Sequence, residues 1–137
     1  MNVYSVSSGS GQCRLHAAVC VSPGGVSVYV CGGDAPHIGS VVLAEPRPSH
    51  TGCGMSCTCG VLNILGHKDE RVARTLAERI CPAVNLPVSV SAGVHIDDIS
   101  PEQLQLVEIS ISLLAESILE VLLSALDGPS AEAIEVD

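Results

Sequence analysis

The sequence predicts an α+β fold in which a mainly antiparallel sheet packs two helices on one face. Apolar and polar side chains alternate with period 2 through much of the first half of the chain, and two later segments show the helical period of 3.6. The predicted order β-β-β-β-α-β-α lacks the regular alternation of a parallel βαβ sheet. The chain has 137 residues, 47% of them hydrophobic, which is enough for one core. A single domain over residues 1–137 is therefore expected.

The first predicted element is a β-hairpin over residues 12–31. Side chains alternate from Gln12 to Val21 and again from Val26 to Cys31, as in half-buried strands. The Ser-Pro-Gly-Gly sequence between these two runs favours a tight turn.

Two more strands are predicted after the hairpin, over residues 38–44 and 56–65. Residues 32–36 form a predicted loop, because glycine and proline do not readily continue a sheet ladder. Residues 45–52 form a second predicted loop that is polar and contains two prolines. Loops of this kind between short strands are common places for binding residues.

The second half of the chain predicts helix, strand and helix. Helical periodicity begins at His67 and is expected to stop at Cys81-Pro82, and a valine-rich strand is predicted over residues 86–94. The last helix is predicted to start at Ser100 and to run to about Leu126. Its Ser-Pro-Glu-Gln start combines a capping box with proline at the first helical position.

The last helix carries two apolar stripes. One stripe is expected to pack on the sheet. The other comprises Leu106, Ile109, Leu113 and Val121, and a soluble monomer seldom exposes such a stripe. The sequence therefore predicts a homodimer formed through this helix.

Composition excludes several classes of function. The chain has 6 basic and 15 acidic residues, a formal net charge of −9, which argues against binding to the phosphates of nucleic acid. Aromatic residues make up 1%, so no aromatic stacking platform is available. Acidic residues interrupt the longest apolar stretch, so no membrane span is expected. The N-terminal residues lack a signal-peptide pattern, and a cytoplasmic location is expected.

Seven cysteines at irregular spacing are more typical of thiols than of a disulfide framework in such a protein. Cys53, Cys57 and Cys59 form the densest group, and their spacing matches no common zinc motif. Packing is the favoured role. A metal site completed by His50 or His67 stays open, and with it the alternative of a small Cys/His metalloenzyme that activates water.

A second group of polar residues lies at the ends of predicted elements. His37, His67 and His95 each occupy such a joint. Gly66-His67-Lys68 places cationic side chains at a helix start, whose unpaired amides favour an anion. Arg47, Ser49 and Thr51 of the proline-containing loop could complete a phosphate site. No nucleophile elbow or phosphate-binding P-loop motif is present, so the pattern indicates a protein that holds an anion rather than a catalyst.

Four segments together carry a family resemblance: Gly-Gly-Asp-Ala-Pro-His-Ile-Gly at residues 32–39, Pro-Arg-Pro-Ser at 46–49, Gly-His-Lys-Asp-Glu at 66–70 and Gly-Val-His-Ile-Asp-Asp-Ile at 93–99. Their order resembles that of the LpdD-like proteins, the D-subunit-like proteins that accompany UbiD-type decarboxylases. No single segment is specific, but the combination is, and the match extends over most of residues 12–100.

The resemblance implies a chaperone that binds and protects reduced prenylated flavin mononucleotide, which is sensitive to oxygen, with FMN as a weaker analogue. It implies that the protein is not itself an enzyme but serves a UbiD-type (de)carboxylase of aromatic or unsaturated acids, with a flavin prenyltransferase as a further partner. A purely structural subunit of the decarboxylase is the other possibility. The cofactor-binding residues carried over are His37, Arg47, Ser49, Gly66, His67, Lys68 and His95. Cys53, Cys57 and Cys59 depart from the family pattern.

Overall fold

A computed structural model describes residues 1–66 and 68–127, and within these ranges it contains six strands, one short 3-10 turn and two long helices. The 3-10 turn covers Gly11–Cys13. The strands are β1 Asn2–Ser8, β2 Leu15–Ser22, β3 Gly25–Gly33, β4 Ser40–Pro48, β5 Met55–Asn63 and β6 Val88–His95. The helices are α1 Glu70–Val84 and α2 Pro101–Asp127.

The six strands form one sheet in the order β1-β2-β3-β6-β4-β5. Four of the five neighbouring pairs are antiparallel, and β3 with β6 is the parallel pair. The last strand of the sequence thus lies in the middle of the sheet, between β3 and β4. The predicted hairpin is confirmed as β2 and β3, with Ser22 opposite Gly25 at the turn.

Both helices cover the same face of the sheet, which confirms the predicted α+β class. Helix α1 packs on β4, β5 and β6, whereas α2 packs on β1 and β2 and contacts α1. The core consists of the inward-facing valines, leucines and alanines of the strands together with one stripe from each helix. The stripe predicted for the first helix is buried: Val72, Ala73, Leu76, Ala77 and Ile80.

Two strands differ from the sequence prediction. Strand β1 was not predicted, because it is an edge strand whose inward-facing Tyr4 and Val6 are only half buried and whose other residues are largely polar. Strand β4 continues to Pro48, through part of the predicted loop. Pairing with β6 ends at Ala44, so the remaining backbone of β4 has one unpaired edge, where proline removes no ladder donor.

Helix α1 passes the predicted stop at Pro82 and ends at Asn85, which has the left-handed conformation with φ 53°. Pro82 lies in the last turn and removes one backbone N–H donor there, close to the end of the helix. The predicted start at His67 lies outside the described residues, and the helix begins at Glu70.

Helix α2 begins as predicted. The backbone N–H of Gln103 donates to the Ser100 hydroxyl at 3.1 Å, and the backbone N–H of Ser100 donates to Oε1 of Gln103 at 2.9 Å, which completes the capping box. By length and mean hydropathy of 1.9, α2 could cross a membrane, but a core helix of a soluble protein passes the same test.

The second stripe predicted for α2 is only partly correct. Leu106, Ile109 and Leu113 are exposed, whereas Val121 is half buried. At 100° per residue, Val121 lies closer to the buried stripe than to the other three residues. Of the predicted stripe, the exposed members therefore lie in the first half of the helix, and Leu123 and Leu126 are further exposed apolar residues in the second half.

Candidate functional site

The candidate site lies at the carboxyl ends of the parallel strands β3 and β6, where Gly33 is paired with His95. In sheets that contain parallel strands, this edge commonly binds ligands. The loop after β3 returns along the same edge before β4 begins, and α1 starts beside it. Three of the four sequence segments that carry the family resemblance meet here.

Three glycines allow the loop to pack closely on this edge. A Cβ at Gly93 of β6 would overlap the carbonyl of His37, and one at Gly39 would overlap the carboxylate of Asp69. Gly33 would meet the His95 carbonyl and has a φ of 78°, which also favours glycine. These glycines explain why the motifs are glycine-rich, since any side chain would push His37 away from the sheet.

His37 and Asp69 form a largely buried ion pair. Nε2 of His37 lies 2.8 Å from Oδ2 of Asp69, and Nδ1 lies 2.8 Å from the Ala35 carbonyl oxygen. Both partners of the ring are acceptors when Asp69 is ionised, so this geometry favours the imidazolium form of His37, in which both ring nitrogens donate. Oδ1 of Asp69 accepts the backbone N–H of Val94 at 2.9 Å. Asp69 thus ties the loop, β6 and the start of α1 together.

The pKa of His37 is raised above its ordinary value of 6.5. The hydrogen bond to the Ala35 carbonyl is the largest cause, and the hydrogen bond and charge of Asp69 raise the pKa further, whereas burial lowers it. The net direction agrees with the geometry of an imidazolium between two acceptors.

A second group braces the end of β6. The backbone N–H of Asp34 donates to the His95 carbonyl at 2.7 Å, and Oδ2 of Asp34 accepts the backbone N–H of Asp97 at 2.9 Å. Nε2 of His95 lies 2.9 Å from Oδ1 of Asp97, and both side chains are more than half exposed. The His95 side chain therefore faces solvent at the site, held by its neighbour.

A cavity of about 420 Å³ opens between this edge, the start of α1 and the first half of α2. Its apolar wall consists of Val72, Val94, Ile96, Ile99, Leu104, Val107 and Ile111. Its polar lining consists of His37, Gly66, Lys68, Asp69, Arg71, His95 and Glu108. Arg71 is engaged by Glu108 at 2.7 Å, an ion pair that links α1 to α2. The cavity can therefore take a molecule with a large apolar part and a polar or anionic end.

The structure brings together four of the seven residues carried over from the sequence. His37, Gly66, Lys68 and His95 all line the cavity. His67 lies outside the described residues. The cavity was not predicted as a unit, because α2 supplies much of its wall.

The structure does not bring Arg47 and Ser49 to this group. Ser40 begins β4 at the edge of the sheet where the cavity lies, and Arg47 is seven residues farther along this strand, opposite Ser56 of β5. At ~3.4 Å per residue, Arg47 lies about 24 Å from Ser40. Its Nε donates to the Thr58 hydroxyl at 2.9 Å, and one terminal nitrogen donates to the Pro48 carbonyl. Ser49 lies farther on, within hydrogen-bond distance of Thr51. A single phosphate cannot contact both Arg47 and Lys68 in this arrangement.

Two of the three clustered cysteines, Cys57 and Cys59, pack as the sequence favoured, whereas Cys53 does not. Sγ of Cys57 lies 3.9 Å from Sγ of Cys59 on β5, and both side chains are half buried against the core beside Cys81 of α1. Burial, followed by the hydrogen bond to Cys57, raises the pKa of Cys59 to about 11. Thiols of this kind are protonated and unreactive at neutral pH. Cys53 is exposed. Across residues 1–66 and 68–127, no group of three or more His, Cys, Asp or Glu side chains is placed to hold a metal ion.

Asp69 is the main residue that sequence reasoning missed. It was visible only as part of a polar helix start, where an acidic residue is ordinary. The glycines of the neighbouring motifs are the signal that could have identified Asp69. In the fold, Gly39 lies against the Asp69 carboxylate and Gly93 lies against the His37 carbonyl.

Comparison with protein families decides the relationship. Residues 9–123 match the family described as the prenylated flavin chaperone LpdD-like domain. The chain belongs to this LpdD-like family. The match includes both sides of the cavity, and membership supports a chaperone role for the protein.

Several solved structures share the fold of this LpdD-like chain. One of them comes from a chaperone complex for yeast 20S proteasome assembly, with a TM-score of 0.57 and 19% sequence identity, and the alignment covers 90% of this chain and 99% of the other. At this identity the likeness concerns the fold alone. No curated protein sequence matches the chain.

Proposed function

We propose that this chain binds reduced prenylated flavin mononucleotide in the cavity and protects it for a UbiD-type (de)carboxylase of aromatic or unsaturated acids. The observation that carries the proposal is a cavity with an apolar wall and a polar rim that includes Lys68, at the sheet edge where the family motifs converge. FMN is expected to bind as a weaker analogue, because it lacks the apolar prenyl-derived part.

The size and lining of the cavity fit such a ligand. Its volume of about 420 Å³ lies within the range of small-molecule sites, roughly 300–1,000 Å³. Its described lining contains no aromatic side chain, so a flavin ring would lie on aliphatic groups such as Ile99, Leu104 and Ile111. Burial of a ring system there is favourable at about 25 cal/mol per Å² of apolar surface.

The phosphate end fits the start of α1. Lys68 is exposed and precedes a helix of 15 residues, whose first amides and dipole favour an anion. Arg71 is already engaged by Glu108. Lys68 is therefore the cation best placed to meet a phosphate, with His95 at the other side of the opening.

The chain's own residues would bind, orient and shield the cofactor. When bound, the prenylated flavin supplies the electrophilic centre that the decarboxylase uses. His37 and Asp69 are committed to each other and to backbone groups, so their role is to hold the cavity wall in place. We accordingly propose an accessory protein rather than an enzyme.

The proposed partners follow from this role. A flavin prenyltransferase would supply the cofactor and a UbiD-type enzyme would receive it, all three in the cytoplasm. We also propose that the chain is a homodimer.

Anaerobic fluorescence titration tests the binding site. Prenylated FMN, FMN and riboflavin are titrated against wild type, Lys68→Ala and Arg47→Ala, the last being a matched loss of a cation far from the cavity. A charge-assisted hydrogen bond contributes about 1.5–3 kcal/mol, so Lys68→Ala should weaken binding of both phosphorylated ligands by roughly ten- to a hundredfold. The affinity of Lys68→Ala for riboflavin should stay at the wild-type value. The affinities of Arg47→Ala for all three ligands should also stay at wild-type values.

A second variant tests the apolar wall. Leu104 is 50% exposed, so Leu104→Glu should fold normally while placing a charge in the cavity. It should abolish binding of all three flavins. Equal affinity of wild type for FMN and riboflavin would show that the phosphate assignment is wrong. Unchanged binding by Leu104→Glu would show that the cavity is not the flavin site.

A further inference from the structure

The face of the sheet that no helix covers has an unusual composition. The register places two adjacent rows of six positions across the middle of this face, one on each strand per row. All twelve positions are uncharged. Charged residues make up 15% of the chain, so about two would be expected at twelve positions of average composition.

Most side chains in these two rows are apolar or small, and Tyr29 of β3 is the large exception. The apolar members include Val3, Leu43 and Leu62, which are 62%, 56% and 77% exposed. Serines occupy four positions, three of them on the central strands β3 and β6, and the hydroxyl of Ser89 donates to that of Ser27 at 3.1 Å. The hydroxyl of Tyr29 donates to the His37 carbonyl at 3.1 Å, and the small residues beside Tyr29 leave room for another sheet to approach to the usual distance of about 10 Å.

The charged residues of this face lie outside the two rows. Glu45 and Arg47 lie toward one end of the strands, and His16 lies toward the other. An uncharged centre with a polar rim is the arrangement of protein–protein interfaces, whose cores are depleted in charge. Antiparallel sheets that face water normally alternate apolar side chains inside with polar side chains outside.

We propose that this face is the homodimer interface, with the sheets of two copies stacked against each other. The proposal rests on the homodimer of the proposed function and is independent of cofactor binding. It replaces the contact through α2 expected from the sequence, where Val121 of the predicted stripe is half buried. Leu106, Ile109, Leu113 and Leu123 of α2 are still exposed, so α2 is the rival face in the test.

Charge favours a second copy as the occupant. The chain has a formal net charge of −9, so two copies repel each other wherever acidic surfaces meet. A surface without carboxylates is the place where two such copies can approach. A basic partner would instead be expected to bind where acidic residues lie.

Area and shape fit the same occupant. Six strands at ~4.8 Å spacing and 7 to 9 residues at ~3.4 Å each describe a face of about 700 Å², close to the ~800 Å² per partner of a standard interface. A depression of about 280 Å³ lies on this face beside the projecting Leu43. A projection next to a depression can be self-complementary, as a two-fold interface requires.

Sedimentation velocity and light scattering of Leu43→Glu test the proposal, with Leu113→Glu as the matched control. Both leucines are about half exposed, so neither change should unfold the chain, and circular dichroism melts verify this. Wild type should have twice the mass of 14.0 kDa. Like charges brought together in an interface cost several kcal/mol, so Leu43→Glu should raise the dimer Kd more than about a hundredfold. Leu113→Glu should remain a dimer.

The outcomes separate the two claims. A wild-type monomer at micromolar concentration would overturn the homodimer and this interface together, and flavin titration would still test the cofactor site. A wild-type dimer that Leu113→Glu dissociates and Leu43→Glu leaves intact would place the interface on α2. A dimer that both variants leave intact would also exclude the sheet face.

Discussion

Removal of the Asp69 carboxylate should destabilise the protein by about 3–5 kcal/mol, the range for breaking a buried ion pair from one side. Asp69 is 3% exposed. In Asp69→Ala the N–H of Val94 loses its acceptor, which costs about 1–3 kcal/mol if the amide stays buried. The charge-assisted hydrogen bond to His37 is lost as well, a further ~1.5–3 kcal/mol.

Urea unfolding followed by circular dichroism measures this change, provided that the m-values of wild type and variant agree. Asp97→Ala is the matched control, because it removes an aspartate that pairs with a histidine at 2.9 Å, but both side chains are largely exposed. Exposed pairs contribute about 0–1 kcal/mol. If Asp69→Ala costs no more than Asp97→Ala, the carboxylate does not hold the site together.

The same pair makes stability depend on pH in a defined direction. The pKa of His37 is raised in the folded state, so its contribution is complete below the unfolded value of about 6.5 and is lost as the pH rises through the folded pKa. In Asp69→Ala the Ala35 carbonyl still raises the pKa, but the part due to Asp69 disappears. An NMR titration of His37 should therefore show a lower pKa in the variant, and an unchanged pKa would contradict the ion pair.

Two further predictions concern packing and thiol chemistry. Gly93→Ala should lower the free energy of unfolding in urea by about 1–3 kcal/mol or more and shift the His37 resonance, because the new Cβ would overlap the His37 carbonyl. Gly24→Ala is the control, since Gly24 has open space around it and the change should be nearly neutral. Equal stability of the two variants would refute the close packing at Gly93. Mass spectrometry after brief alkylation at pH 8 should find Cys53 modified and Cys59 unmodified, because the pKa of Cys59 is raised to about 11. Alkylation of Cys59 at the rate of Cys53 would contradict the burial of that side chain.

The local elements were largely predictable because their signals are local. The alternation from residue 12 to residue 31 and the capping box at Ser100 depend only on neighbours in the chain, and both are present in the structure. Strand β1 forms because it pairs with β2, and β4 can continue through Pro48 because its pairing with β6 has already ended at Ala44. Neither pairing can be predicted from the residues of β1 or β4 alone.

The site was predictable only in part, for a related reason. His37, Lys68 and His95 were recognised as polar residues at element ends, and they do line one cavity. Arg47 looked equivalent to them, but the length of β4 places it at the far end of the hairpin. The role of Asp69 depends on a contact with His37 across 32 residues, which no local pattern indicates.

The position of β6 has a consequence for how the protein folds. During synthesis, the β1–β3 and β4–β5 units can each form from neighbouring residues, but nothing joins them until residues 88–95 insert between β3 and β4. Before that step two inner strands have open edges, which makes the incomplete chain prone to aggregate. The loop that carries His37 and the strand end that carries His95 also meet only then. The cavity therefore forms in one late step that joins distant parts of the chain. A chain truncated before β6 would lack the cavity altogether and would not bind the ligand even weakly.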